Sequence, residues 1–194
     1  SKGEKCLYCG EETTSFCNSH SIPAFCLRNI STNGAVFHSN TLVNFPLLDF
    51  EKGVNKAGTF QLICRECDGV IFQEYEEPNN YENKPTPQMI AEIAMKNYLK
   101  AISKRVNEHA IFDKVKEHKF EATGFANYMQ KIQDTDLNEY KKGYEKAKRL
   151  SKKNNSGEYY LFFYEKLNYV VPIAFQSSLS LVVDLDGQIV NDIY

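Results

Sequence analysis

Long hydrophobic runs are missing from this 194-residue chain. Tyr159–Tyr164 is among the longest, far short of the ~20 apolar residues that span a bilayer. No charged leader followed by an apolar stretch opens it, because Ser1–Lys5 leads straight into a cysteine pair, so the chain is expected in the cytoplasm. P-loop, dinucleotide fingerprint and nucleophile elbow are all absent, as are internal repeats and low-complexity tracts. Bulk charge is nearly nil: 23 basic against 25 acidic residues, net −2, single out no partner. What is present is an ordinary globular balance, 42% apolar and 25% charged. That balance excludes disordered, collagen-like and disulfide-knot chains and allows one domain or two small ones with a real core.

The near-neutral total hides an uneven distribution. Residues 1–84 hold seven basic and eleven acidic side chains, residues 85–156 fifteen and nine, and residues 157–194 one and five. The basic middle third is densest at Lys141, Lys142, Lys146, Lys148 and Arg149. Such a run is either a solvated helix face or a set of phosphate contacts; the second reading makes nucleic acid a partner, with DNA favoured.

Composition divides the chain at a polar, proline-bearing connector, residues 79–87. The expectation is an α+β protein with a metal-binding module over 1–84 and a helical plus antiparallel β domain over 85–194. Thr86 or Pro87 should start a helix, with Ile90, Ile93, Ala94, Tyr98, Ala101 and Ile102 at helical spacing. Further helices are expected near 108–119, 125–133 and 137–152. Residues 153–157 break the pattern. Strands follow at 158–165, 169–175 and 179–185, with Asp186-Gly187 turning into a returning strand at 189–194.

Six cysteines are present, four of them in two C-x2-C pairs, Cys6/Cys9 and Cys64/Cys67. Two intervening residues let one tight turn aim both sulfurs at one ion, and two such turns complete the tetrahedral thiolate shell that Zn²⁺ favours. Gly10 suits the sharp turn after the first pair. A rival shell, Cys6, Cys9, Cys17 and His20, would strand the second pair. Cys17 and Cys26 otherwise read as small buried hydrophobes.

Between the pairs stands Ser19-His20-Ser21-Ile22-Pro23, and the second pair lies in Leu62-Ile63-Cys64-Arg65-Glu66-Cys67-Asp68. This order, over about residues 6–77, resembles zinc-containing HNH endonucleases of the ββα-metal type. It is closer still to HNH-like bacterial proteins with Ser-His-x-Ile-Pro, a second C-x2-C followed by an acid, and then a Tyr-Glu pair, here Tyr75-Glu76. The resemblance implies a treble-clef module with a structural zinc. It also implies a metal-dependent nucleic-acid endonuclease of a bacterial mobile-element or anti-phage setting.

Carried onto this chain, His20 becomes the general base. Asp68 becomes a ligand for catalytic Mg²⁺ or Mn²⁺, and Glu76, or Glu74, a further ligand on the following turns. Ser19 stands where the family carries an acidic metal ligand. The gap of 43 residues between His20 and Cys64 is longer than usual, and Asn55 is the nearest candidate for the family's asparagine. The alternative is a non-catalytic zinc-binding adaptor for nucleic acid or protein, with self-association also open. Among the other histidines, His38 reads as an exposed loop residue, and His109 and His118 have no metal partner at i+4. Tyr159, Tyr160, Tyr164 and Tyr169 read as sheet packing.

Overall fold

A computed structural model describes residues 4–43, 45–118, 122–152, 158–177 and 182–190. The elements are β1 (Ser19–His20), α1 (Ala24–Ile30), β2 (Ala35–Leu42), β3 (Phe45–Gly53), β4 (Thr59–Phe60), α2 (Arg65–Ile71), α3 (Gln73–Glu76), α4 (Pro87–His118) and α5 (Thr123–Leu150). The chain is thus mixed α and β, with two small antiparallel sheets. β1 pairs with β4, Ser19 opposite Phe60 and His20 opposite Thr59. The longer β2–β3 hairpin is inserted between them, with a bulge between Val36 and His38.

α4 begins where the sequence expects it. The Thr86 hydroxyl accepts the Met89 N–H at 3.1 Å, and Pro87 follows with its φ already set for a helix. The expected break before residue 108 does not occur, nor does one near 133–137. The apolar period lapses there because an ionic layer replaces it. Arg105 donates to Glu108 at 2.5 Å and forms an ion pair with Asp136 at 2.7 Å, and Glu108 and Asp136 are both buried. With no Pro or Gly at 103–107, the helix runs on through charges facing its neighbour.

α4 and α5 are antiparallel, since contacts descend one as they climb the other: Tyr98 with Gly143, Arg105 with Asp136, His109 with Asp134, Asp113 with Gln130. At Gly143 the Tyr98 ring lies against the α5 backbone. A Cβ there would stand 2.3 Å from Tyr98 Cζ. Gly143→Ala is therefore expected to lose about 1–3 kcal/mol to overpacking, offset by about 1 kcal/mol of helix propensity. In a Tyr98→Ala background the same change should become stabilising. Urea titration of the four proteins measures that change of sign.

The main core crosses the connector. Cys6, Phe60, Leu62, Ile63, Cys64 and Phe72 pack with Met95, Leu99, Ile102, Tyr144 and Ala147, so residues on both sides of position 84 share one apolar cluster. A smaller cluster of Leu27, Val36, Val54 and Ala57 sits under the hairpin. At the hairpin tip Val43 has φ of +50°, strained for a β-branched residue. Its N–H donates to buried Glu108 at 2.8 Å, which ties the tip to α4.

The expected C-terminal sheet is a correction. Among the described residues from 158 onward no strand forms, and a single bridge joins Val183 to Ile189. The Asp186-Gly187 turn is there: Gly187 has φ of +78°, and the Asp184 carboxylate accepts the N–H groups of Asp186 and Gln188. Among the described residues the rest pairs with no neighbouring strand, and Phe162, Phe163 and Phe175 are exposed. Residues 153–157, 178–181 and 191–194, with the parts of the expected break and strands that fall on them, lie outside the described residues. No described helix is long and apolar enough to cross a membrane.

Candidate metal centre and adjoining polar site

Two turns meet at the first site. Cys6 opens a tight turn in which the Gly10 N–H donates to the Cys6 carbonyl at 2.9 Å, and Gly10 takes a φ of +80° that favours glycine. Cys64 caps α2 and Cys67 lies in its first turn. The Leu7 N–H donates to the Leu62 carbonyl at 2.9 Å, holding the turns side by side. The sulfurs of Cys6, Cys9, Cys64 and Cys67 all lie within 4.8 Å of one another. A tetrahedral Zn–S shell at 2.3 Å requires sulfurs about 3.8 Å apart, so the four fit a metal such as zinc.

The electrostatics agree. Burial opposes a charged Cys6, but N–H groups of Cys9, Cys64 and Tyr8 outweigh it and bring its thiol down to about 7. Cys67 is driven the other way by burial and by the neighbouring cysteine sulfurs. A thiolate is favoured at Cys6 and disfavoured at Cys67, unless a cation shares its charge.

The rival shell is not assembled. The Cys17 thiol donates to Asp68 Oδ2 at 3.1 Å, and burial, followed by Asp68, pushes it up to about 11. The His20 Nε2 lies 2.9 Å from the Val54 carbonyl. A ring nitrogen facing a carbonyl carries the proton, which leaves Nδ1 as the acceptor.

Beside the metal centre is a second, polar site. Ser19, adjacent to His20 on β1, points to the opposite face and donates to Asp68 Oδ1 at 2.5 Å. Asp68 belongs to the same first turn of α2 as Cys67. Glu76 comes from α3 and Lys96 from α4. The Lys96 ammonium is 2.7 Å from Ser19 Oγ, 3.2 Å from Asp68 Oδ1 and 2.7 Å from Glu76 Oε1, and 3.8 Å above the Phe72 ring. Lys96 is 0% exposed. Burial alone would raise the Asp68 pKa, but Lys96 and the Ser19 and Cys17 donors bring it below the usual carboxylate value.

Of the three residues expected to be catalytic, the structure therefore brings Asp68 and Glu76 together, on a lysine. His20 hydrogen-bonds elsewhere. The residues do not fit the Mg²⁺ or Mn²⁺ implied by the resemblance, because Lys96 spends its three N–H donors on the oxygens such an ion would need. Among the described residues the four cysteines are the one group of three or more Cys, His, Asp or Glu arranged to hold an ion. Sequence reasoning missed Lys96. Its signal was available: Met89, Glu92, Met95, Lys96, Leu99 and Ile102 are all buried on one face of α4, and two of these core positions are charged.

The basic run is largely engaged within the chain. Lys148 is half-buried; it donates to the Tyr8 carbonyl at 2.6 Å and lies 4.7 Å over the Tyr8 ring, fastening α5 to the first cysteine turn. Lys146 and Arg149 pair with Glu158 at 3.6 and 2.7 Å, and Lys142 with Glu139 at 2.7 Å. Lys141 is exposed.

Comparison of the chain with protein-family models, curated proteins and solved structures gives no match.

Proposed function

We propose that this chain is a zinc-holding module of HNH-like build that works by binding, as an adaptor for a protein partner. The HNH-like part is supported by the order of parts: cysteine turn, β1, β4, second cysteine turn and α2, with Asp68 facing Ser19. Zn²⁺ in the Cys6, Cys9, Cys64, Cys67 shell is structural, since four thiolates leave it no open position.

The observation that carries the binding role is the inserted hairpin. Phe45 and Phe50 are each 72% exposed, and Phe37, Leu47 and Leu48 are exposed with them. The Phe37 and Phe50 rings meet edge to face at 5.0 Å outside any core. By strand alternation Leu48 and Phe50 share a face with Phe37, and Phe45 and Leu47 turn to the other, so both faces of the hairpin present exposed apolar side chains, and aromatic residues anchor protein interfaces. Within the basic run Lys148 is committed to the Tyr8 carbonyl and ring, which takes it out of any set of phosphate contacts.

A second reading, the endonuclease, is favoured by one observation: the Val54 carbonyl fixes His20 with Nδ1 available to take a proton from water. Two assays separate the readings. Chemical crosslinking in a source-cell extract should give discrete protein adducts with wild type that disappear in Phe45→Ser/Leu48→Ser, with zinc content and helicity unchanged. A panel of single- and double-stranded DNA and RNA should stay intact with every divalent ion. Cleavage that His20→Ala abolishes, with the fold retained, would overturn the adaptor reading in favour of the nuclease.

A further inference from the structure

We propose that Lys96 is a built-in cation: its ammonium fills the position between Ser19, Asp68 and Glu76 that the HNH-like pattern gives to a divalent ion, and it keeps that pocket metal-free. The inference rests on the HNH-like reading of β1, β4 and α2, and not on the hairpin's role.

An ammonium has three donors and no acceptor. Here all three have acceptors, one on each of three elements: Ser19 on β1, Asp68 on α2 and Glu76 on α3. Its open face rests on the Phe72 ring, where a cation is favoured by the ring's negative face. Two carboxylates and a hydroxyl would be ordinary hard ligands for Mg²⁺ or Mn²⁺. An ion bound at about 2.1 Å to the same oxygens would stand within about 5 Å of the fully buried ammonium and compete with it for the same lone pairs. Lysine and divalent ion therefore exclude one another.

Charge accounting explains why Ser19 is tolerated in place of an acid. A monovalent ammonium needs fewer negative ligands than a divalent ion, and Ser19 serves it as an acceptor while donating to Asp68. The lysine comes from α4, outside the residues that carry the HNH-like pattern. The same three hydrogen bonds therefore also lock the metal-binding lobe to the helical pair.

The test uses zinc-loaded full chain and Mn²⁺, read by electron paramagnetic resonance and by melting temperature. Wild type should bind no Mn²⁺ at this pocket and melt at the same temperature with or without it. Lys96→Met keeps most of the stem and removes the charge, while Lys96→Ala opens space as well. Both should melt roughly 10 °C lower, because the largely buried Asp68 carboxylate keeps its Ser19 and Cys17 donors but loses its cation. Lys96→Ala should then bind one Mn²⁺ per chain and regain melting temperature, and Asp68→Asn in that background should abolish both effects. If neither variant folds alone, refolding of Lys96→Ala in Mn²⁺ should recover folded protein. Wild type that binds Mn²⁺ in a manner lost in Asp68→Asn would overturn the proposal, and so would a Lys96→Ala protein that Mn²⁺ neither binds nor rescues. Phe45→Ser/Leu48→Ser should leave the Mn²⁺ readouts unchanged, so failure of the adaptor reading is distinguishable from failure of this one.

Discussion

Removing the metal with a chelator is expected to unfold the helices together with the cysteine turns, in one transition. The reason is where the ligands sit. Cys6 and Cys64 belong to the same apolar cluster as Met95, Leu99, Ile102, Tyr144 and Ala147. The segments around the ligands, residues 5–18 and 61–64, have no sheet or helix of their own beyond isolated bridges. A structural zinc contributes on the order of 10–16 kcal/mol, against a total stability of about 5–15 kcal/mol for a whole domain. Without the ion, four thiols facing one another remain, and burial and the neighbouring sulfurs hold Cys67 protonated. Cys64→Ser should therefore behave like the chelated protein, with far-ultraviolet circular dichroism collapsing at temperatures where wild type is folded. A metal-free protein that keeps the helical signal of α4 and α5 would show that the helices stand alone.

Leu99→Ala is expected to cost about 2–5 kcal/mol. Leu99 is 0% exposed and lies on α4 where that helix meets both α5 and the metal-binding lobe. The cavity would open inside the cluster that Leu99 shares with Phe60, Ile63, Phe72 and Tyr144, whose members come from different parts of the chain and cannot all move in. Denaturant titration followed by helicity and by near-ultraviolet tyrosine signals should show coincident transitions displaced together to lower denaturant. Separate transitions for the two signals would mean that the connector at residues 79–87 divides two independent folding units.

The parts of this fold that were legible in the sequence are those whose chemistry is local. C-x2-C places two ligands on one turn, and the Thr86-Pro87 pair caps a helix at the residue where it begins, whatever surrounds them. Asp186-Gly187 makes its turn for the same reason. What was not legible depends on distant partners. α4 continues past Ile102 because Asp136, thirty-four residues away, receives Arg105; no window centred on Arg105 contains that carboxylate. The C-terminal segment has the β-branched and aromatic composition of strands, but a strand needs a neighbour, and composition does not supply one. Lys148 has the same residue type and spacing as Lys146, yet it is taken by a backbone carbonyl at Tyr8, at the opposite end of the chain.

The polar site shows the same division. Asp68 and Glu76, expected on one side of a single helix, come from α2 and α3 on either side of Phe72, and both reach the Lys96 ammonium. Lys96 belongs to a helix that the family pattern does not include, so the pattern left the position between the carboxylates to a metal ion. His20 and Ser19 illustrate strand alternation: neighbours in sequence, they turn to opposite faces of β1, and only Ser19 meets the acids.

The measurement that tests the central claim most directly is X-ray absorption at the zinc edge on protein purified without chelator, combined with metal analysis. The account predicts one zinc per chain with four sulfur neighbours at about 2.3 Å and no nitrogen or oxygen in the shell. Absence of zinc, or a shell containing nitrogen at about 2.0–2.1 Å as a histidine would provide, would contradict it.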